Sequence, residues 1–334
     1  VSSSAASDVY KRQGHWSFLT PNKSSLPVVD KGRFNENPID RFIFEGLSKA
    51  DLKPSPQASK EILIRRATFD LTGLPPTTEE IFAFSKDDQP GAYERVVDRL
   101  LQSPRFGERM AVHWLDAARY GDTSVFHADG PRDMWIWRDW VVNAFNDNLS
   151  YDQFTLQQIA GDLLPEATWR EQVATGFLRN NATTDEGGAI AEEFRVEYAV
   201  DRVKTTSMVW LGLSMECAQC HDHKYDPISQ EDYYRFFAFF NQASDPGMQT
   251  RRGNQKPIVE VPDEEDLLKV PGVEAELEAI ANRLMELDKS ADPDFENWMV
   301  EAQEQAEAKE TPSGSVSFIN FCLLYTSGRC RRRD

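Results

Sequence analysis

Tyr93-Glu94-Arg95-Val96-Val97-Asp98-Arg99-Leu100-Leu101 places apolar residues at i, i+3, i+4, i+7 and i+8. Only a helical repeat gathers those five onto one face, and the charged residues between them then face away. The same period recurs on both sides. Before it, Asn37-Pro38 reads as a cap followed by proline at the first helical position, and Ile39, Phe42, Ile43 and Leu47 continue at helical spacing until Pro54 and Pro56. A helix over about 59–70 is expected to turn Ile62, Leu63, Ala67 and Phe69 inward, and Leu71 to Pro76 makes a sharp loop. Thr77 or Thr78 caps the next helix, with glutamates in its first turn.

The helical pattern continues downstream. His113, Asp116, Arg119 and Tyr120 fall on roughly one face of a helix over about 105–120, which reads as a salt-bridged polar seam or as a face aimed at a cofactor. The next helix carries Trp135, Trp137, Trp140 and Phe145, and two more are expected at 151–162 and 168–178. Asn180 to Gly188 reads as a flexible, solvated loop in which Asp185 and Glu186 could take a cation. A long helix over about 190–213 has Phe194, Tyr198, Val203 and Val209 on its inner side and Glu192, Arg195, Asp201 and Arg202 in ion pairs. An aromatic helix, Tyr233 to Phe240, follows a capping box at Ser229 and Asp232. There is little strand signal. The fold class is mainly α: an irregular multi-helix domain with long loops, followed by a charged helical extension.

The long helix delivers the chain into Cys217-Ala218-Gln219-Cys220-His221. Two cysteines three apart with histidine next are the attachment signal for c-type haem. Each thiol adds to one vinyl group, and the adjoining imidazole can serve as proximal iron ligand. Cys217 and Cys220 are the candidate attachment residues and His221 the candidate axial ligand. For the sixth position the candidates are His113, His127, Met134 and Met248; Met208 and Met215 precede the motif too closely to cross to the far face. A filled sixth position suits electron transfer, whereas an open one suits a haem-dependent oxidoreductase. Two other readings stay open. Cys217, Cys220, His221 and His223 could hold zinc for a structural or hydrolytic role, or the thiols could simply pack within a cofactor-free helical interaction domain.

The two ends read differently. Asp8 to Gln13 and Cys322 to Ser327 are what the two strands of a sequencing-library transposon end encode, so 1–13 and 322–334 are taken as scars. Between them the expected organisation is a helical domain at 14–241, a linker at 242–262 and an amphipathic helical segment at 263–321. Two of the four cysteines, Cys322 and Cys330, fall in a scar, which leaves no further thiol for a disulfide framework. The chain carries 37 basic and 55 acidic residues, a net −18. Such acidity disfavours nucleic acid or an anionic membrane as partner and suits a redox protein with a basic docking surface. No apolar run is long enough to span a bilayer.

His15-Trp16-Ser17-Phe18, Asn37 to Ile43, Phe69 to Pro76, His113 to Tyr120, Gln158 to Leu164, Glu193 to Glu197 and Cys217 to Pro227 together resemble a known family. It is the planctomycete-type cytochrome c-like domain, whose members are otherwise of unknown function. The resemblance implies covalent haem and electron transfer within a large periplasmic or otherwise exported protein, with further domains on both sides. On that expectation this chain is an internal piece whose signal peptide lies elsewhere.

Overall fold

The computed structural model describes residues 16–29, 37–249 and 252–307; the tails at 1–13 and 322–334 lie outside them. The chain divides into two units, 1–261 and 262–334. Among the described residues there are eleven α-helices and no β-strand, only two isolated bridges, Thr123–Pro131 and Val125–Thr183.

The helix starts follow the capping chemistry of the sequence. Asn37 Oδ1 accepts from Ile39 N at 2.8 Å to start α1 (Pro38–Lys49). Gly73, at φ 72°, closes α2 (Lys60–Thr72) in the left-handed conformation that glycine adopts without strain. Capping boxes start α3 (Thr78–Lys86, Thr77 with Glu80) and α8 (Trp169–Ala174, Thr168 with Glu171). The others of the first unit are α4 (Ala92–Leu101), α5 (Pro104–Ala117), α6 (Trp135–Asn146), α7 (Tyr151–Ala160), α9 (Ala191–Thr206) and α10 (Gln230–Asn241).

Two clusters make the core. In the first, α5 packs against α6, and Ala111, Trp137, Val141, Phe154 and Phe177 fill the space between these helices, α7 and α8. Fully burying one large apolar side chain of this kind contributes about 1.5–3 kcal/mol. The helices approach closely because position 107 is glycine: a β-carbon there would overlap Val142 O and the Asn146 side chain, whose Oδ1 accepts from Gly107 N at 2.7 Å. The second cluster lies between α9 and α10 and holds Ala199, Val203, Met215, Ala218, Tyr233 and Phe240. Leu178 packs against both.

A π turn, Ser207–Leu211, joins the two. It continues α9, which belongs to the second cluster, yet it turns Trp210 into the first. There the indole meets Phe177 and Trp114 edge-on, with centroids 4.5 and 5.1 Å away, and Nε1 donates to Thr155 Oγ1 at 2.9 Å.

Several sequence expectations are corrected. The inner face of α2 is Ile64, Ala67 and Thr68, while Ile62 is exposed: the buried stripe is rotated because α3, α4 and α5 together choose the face. The apolar stripe of α1 is exposed at Ile39, Phe42 and Ile43. Trp16 and Phe18 in the first described stretch are exposed as well. The loop expected to be solvated has Asn180, Asn181, Thr183 and Thr184 buried. Its backbone is engaged: Thr183 N donates to Ser124 O, Thr184 N to Tyr198 Oη, and Gln249 N to Thr184 O. Residues after Asn241, expected as a linker, carry similar contacts to the body. Gly253 N donates to Pro131 O, and Asp133 N to Asn254 Oδ1.

The second unit is described by one helix, α11 (Glu264–Glu307), which carries Pro271 and Pro293 inside it. Leu268, Leu277, Ile280, Leu284 and Leu287 on it are exposed.

Candidate functional site

After the π turn, Gly212 at φ 64° reverses the chain and a single 3₁₀ turn, Glu216–Gln219, presents the motif. Ala218 between the cysteines is fully buried against the second cluster, and Met215 anchors the approach. A small apolar residue pressed inward at that point turns its two neighbours out. Cys217 and Cys220 are both exposed, free thiols. The turn is fastened to α10 through Gln219 O, which accepts from Gln230 Nε2 and from Tyr234 Oη at 3.1 Å each. Lys204 pairs with Glu216 at 2.7 Å on the other side.

His221 is also exposed, and its Nδ1 lies 2.8 Å from Asp222 O. A carbonyl oxygen can only accept, so Nδ1 carries a proton, and in the neutral ring Nε2 then keeps the lone pair. This is the tautomer that a metal-ligating histidine needs, oriented by its other nitrogen. Asp222 Oδ1 in turn accepts from Gln230 N at 2.9 Å, which ties the loop to the start of α10.

His223 has a different role. It is buried, and its Nδ1 accepts from Asp226 N at 2.9 Å and Tyr225 N at 3.2 Å, while its backbone N donates to Ile228 O. It fastens the turn that leads into the Ser229 capping box of α10. Among the described residues no three His, Cys, Asp or Glu side chains are grouped so as to hold a metal ion.

The aromatic residues of α10 divide between the two sides. Tyr233 and Phe240 are core, and burial pushes the Tyr233 phenol up to about 12. Tyr234 is exposed beside Gln219 and meets Tyr233 edge-on at 5.2 Å, and Tyr225 is exposed on the loop after His221. The thiols, the imidazole and these two rings are all exposed.

The candidates for a sixth ligand are spread over the first unit. His113 is exposed on α5, which packs against α2 and α6. Arg119 from the same expected seam forms a half-buried ion pair with Asp201 of α9, while Asp116 is exposed. Tyr120 hydroxyl donates to Asp122, and burial with that carboxylate pushes its pKa up to about 12. His127 Nδ1 is 2.9 Å from Asp185 Oδ1. Met134 is buried in the first cluster and Met248 is half-buried.

Sequence reasoning missed one site. A cavity of about 350 Å³ opens between α6, α8, α9 and the 243–261 segment. Arg202, expected in an ion pair away from the inner side of its helix, is paired but buried there: both it and Arg179 pair with Asp245. The only sequence signal was an arginine on the inner side of a helix, four residues beyond Tyr198.

Residues 38–245 match the PSCyt2 family, described as a protein of unknown function (DUF1549). No curated protein and no solved structure matches the chain. The matched region runs from the proline that opens α1 to the carboxylate shared by the two arginines and takes in more than half of the sequence, so the chain belongs to the PSCyt2 family, a planctomycete cytochrome-like domain of unknown function.

Proposed function

We propose that this domain carries haem c on the Cys217–His221 turn and passes single electrons within a larger exported protein. The observation that supports the reading is the pairing of two exposed free thiols with an imidazole whose Nδ1–H is held by Asp222 O. Cys217 and Cys220 would supply the thioether sulfurs, and His221 Nε2 would bind the iron. When bound, the group supplies a one-electron iron couple. The protein's own share is orientation: Ala218 holds the thiols outward, Gln219 O and Asp222 Oδ1 brace the turn on α10, and Tyr234 and Tyr225 offer aromatic surface beside it. The net charge of −18 suits a partner with a basic docking face. If the sixth position stays open, the same site becomes a haem-dependent oxidoreductase.

A second reading, a cofactor-free helical interaction domain, is favoured by the exposure of Cys217, Cys220, His221, Tyr225 and Tyr234 around the turn. Expression with export and a haem-maturation system separates the two. The first reading expects an intact mass raised by one haem, a c-type reduced spectrum, and loss of both in Cys217→Ala/Cys220→Ala. His221→Ala should keep the mass shift and change the spectrum. Unmodified polypeptide from a host that matures other c-type cytochromes refutes it.

A further inference from the structure

We propose that the cavity between α6, α8 and α9 is a binding site for a small organic acid whose carboxylate pairs with Arg132. This rests on residues away from the cysteine turn and is independent of haem.

Three guanidinium groups line the cavity. Two share the buried carboxylate of Asp245, one on each oxygen: Arg179 on Oδ1 and Arg202 on Oδ2. Arg202 also donates to Leu178 O, and Arg179 to Gln255 O, at 2.8 Å each. These two are satisfied. Arg132 is not. It is 6% exposed; Nη1 donates to the backbone carbonyls of Asn181, at 3.0 Å, and Arg179, at 3.4 Å, and Nη2 to that of Gly121, at 3.5 Å. Its Nε is buried without a partner among the described residues. Burial, and the charge of Arg179 nearby, pull this guanidinium below its ordinary pKa, with Asp122 opposing.

A buried guanidinium held only by neutral carbonyls is costly unless an anion completes it. Thr183, which lines the same cavity, also has a buried hydroxyl without a partner. Two residues of this lining thus each carry a buried donor without a partner, and an oxyanion is the kind of group that completes such donors. The remaining acids on the wall, Asp133 and Asp162, are exposed.

The rest of the wall argues for an organic body behind the charge. Met134, Trp137, Ile258 and Val259 give an apolar side, and Gln249 and Asn254 give neutral polar groups. A volume of about 350 Å³ lies at the small end of ligand pockets. Three guanidinium groups against the one buried carboxylate of Asp245 leave the wall positive, and the planar fork of Arg132 matches a carboxylate.

The test titrates the whole chain with sodium benzoate and sodium glucuronate, with sodium sulfate as a competing anion, sodium chloride as the ionic-strength control, and benzyl alcohol as a neutral analogue. Tryptophan emission, which includes Trp137 on the wall, and thermal unfolding are the readouts. At least one carboxylate should give a saturable emission change and a raised midpoint that chloride and benzyl alcohol do not give. Arg132→Gln should weaken that binding roughly ten- to hundredfold. Val259→Trp, at a partly exposed wall position, should block it without touching the arginines and serves if Arg132→Gln fails to fold. Arg105→Gln, on a surface pair with Glu108, should bind as the parent does. A cavity that holds only water would give no saturable response to either carboxylate, and that result overturns the proposal. So does saturation by sulfate alone, or equal binding by the folded Arg132 and Val259 variants.

Discussion

Asp245→Asn tests the most heavily buried electrostatic arrangement in the fold. The side chain is 8% exposed and serves Arg202, 5% exposed, and Arg179, 28% exposed. Asparagine keeps the volume and can still accept from one guanidinium, so little of the loss comes from packing. What remains is a buried positive charge without its counter-charge, for which breaking a buried pair typically costs about 3–5 kcal/mol. Arg202 bears nearly all of this, because Arg179 is partly solvated and its share is screened. The retained hydrogen bond places the expected loss near the lower end, about 3 kcal/mol. For a unit of this size that corresponds to a fall in midpoint of roughly 6–12 °C. Urea unfolding followed by far-UV circular dichroism should show a lower midpoint with an unchanged slope. The decisive comparison is the double variant: Arg202→Met/Asp245→Asn should be less destabilised than the sum of the single changes, since only the partly solvated Arg179 is then left without its carboxylate. A loss below about 1 kcal/mol, or strict additivity of the pair, would refute the reading of a dry, obligatory contact.

Ser229→Ala removes the capping box that starts α10 and so loosens the brace on the cysteine turn; about 1 kcal/mol should be lost by urea titration, with faster thiol labelling of Cys217 and Cys220. Gly107→Ala drives a β-carbon into Val142 O across the α5–α6 contact, and the purified variant should unfold at a markedly lower temperature or fail to accumulate. Tyr120 and Tyr233, each pushed up to about 12, should ionise last in a tyrosinate absorbance titration. The fold holds their protonated forms, so the native state binds more protons than the unfolded state above about pH 10. Their contribution is complete below that pH and is lost as pH rises towards 12, and an earlier, uniform titration of all nine tyrosines would contradict the burial of both.

Helix positions were legible because their signals are local. Asn37-Pro38, Thr77 with Glu80 and Ser229 with Asp232 each satisfy backbone donors within three residues, so sequence alone places them. Which face a helix buries is less local. On α2 both Ile62 and Ile64 are plausible inner residues, and the neighbours of the finished fold select Ile64. The largest errors came from polar residues. Asn180 to Thr184 has the composition of a solvated loop, yet it is buried because Ser124, Tyr198 and Gln249 supply its hydrogen bonds from distant positions. Arg202 looked like a surface charge because its partner, Asp245, is 43 residues downstream. For the same reason the cavity could not be seen, whereas the cysteine turn, five consecutive residues, could.

The π turn at Ser207–Leu211 has an optical consequence. It lodges the Trp210 indole in one packed cluster, while the backbone that carries it runs on from the other and leads to Cys217. Labelling of the two sulfurs is therefore expected to alter the emission of this fluorophore, and difference emission between the parent and Trp210→Phe isolates its share.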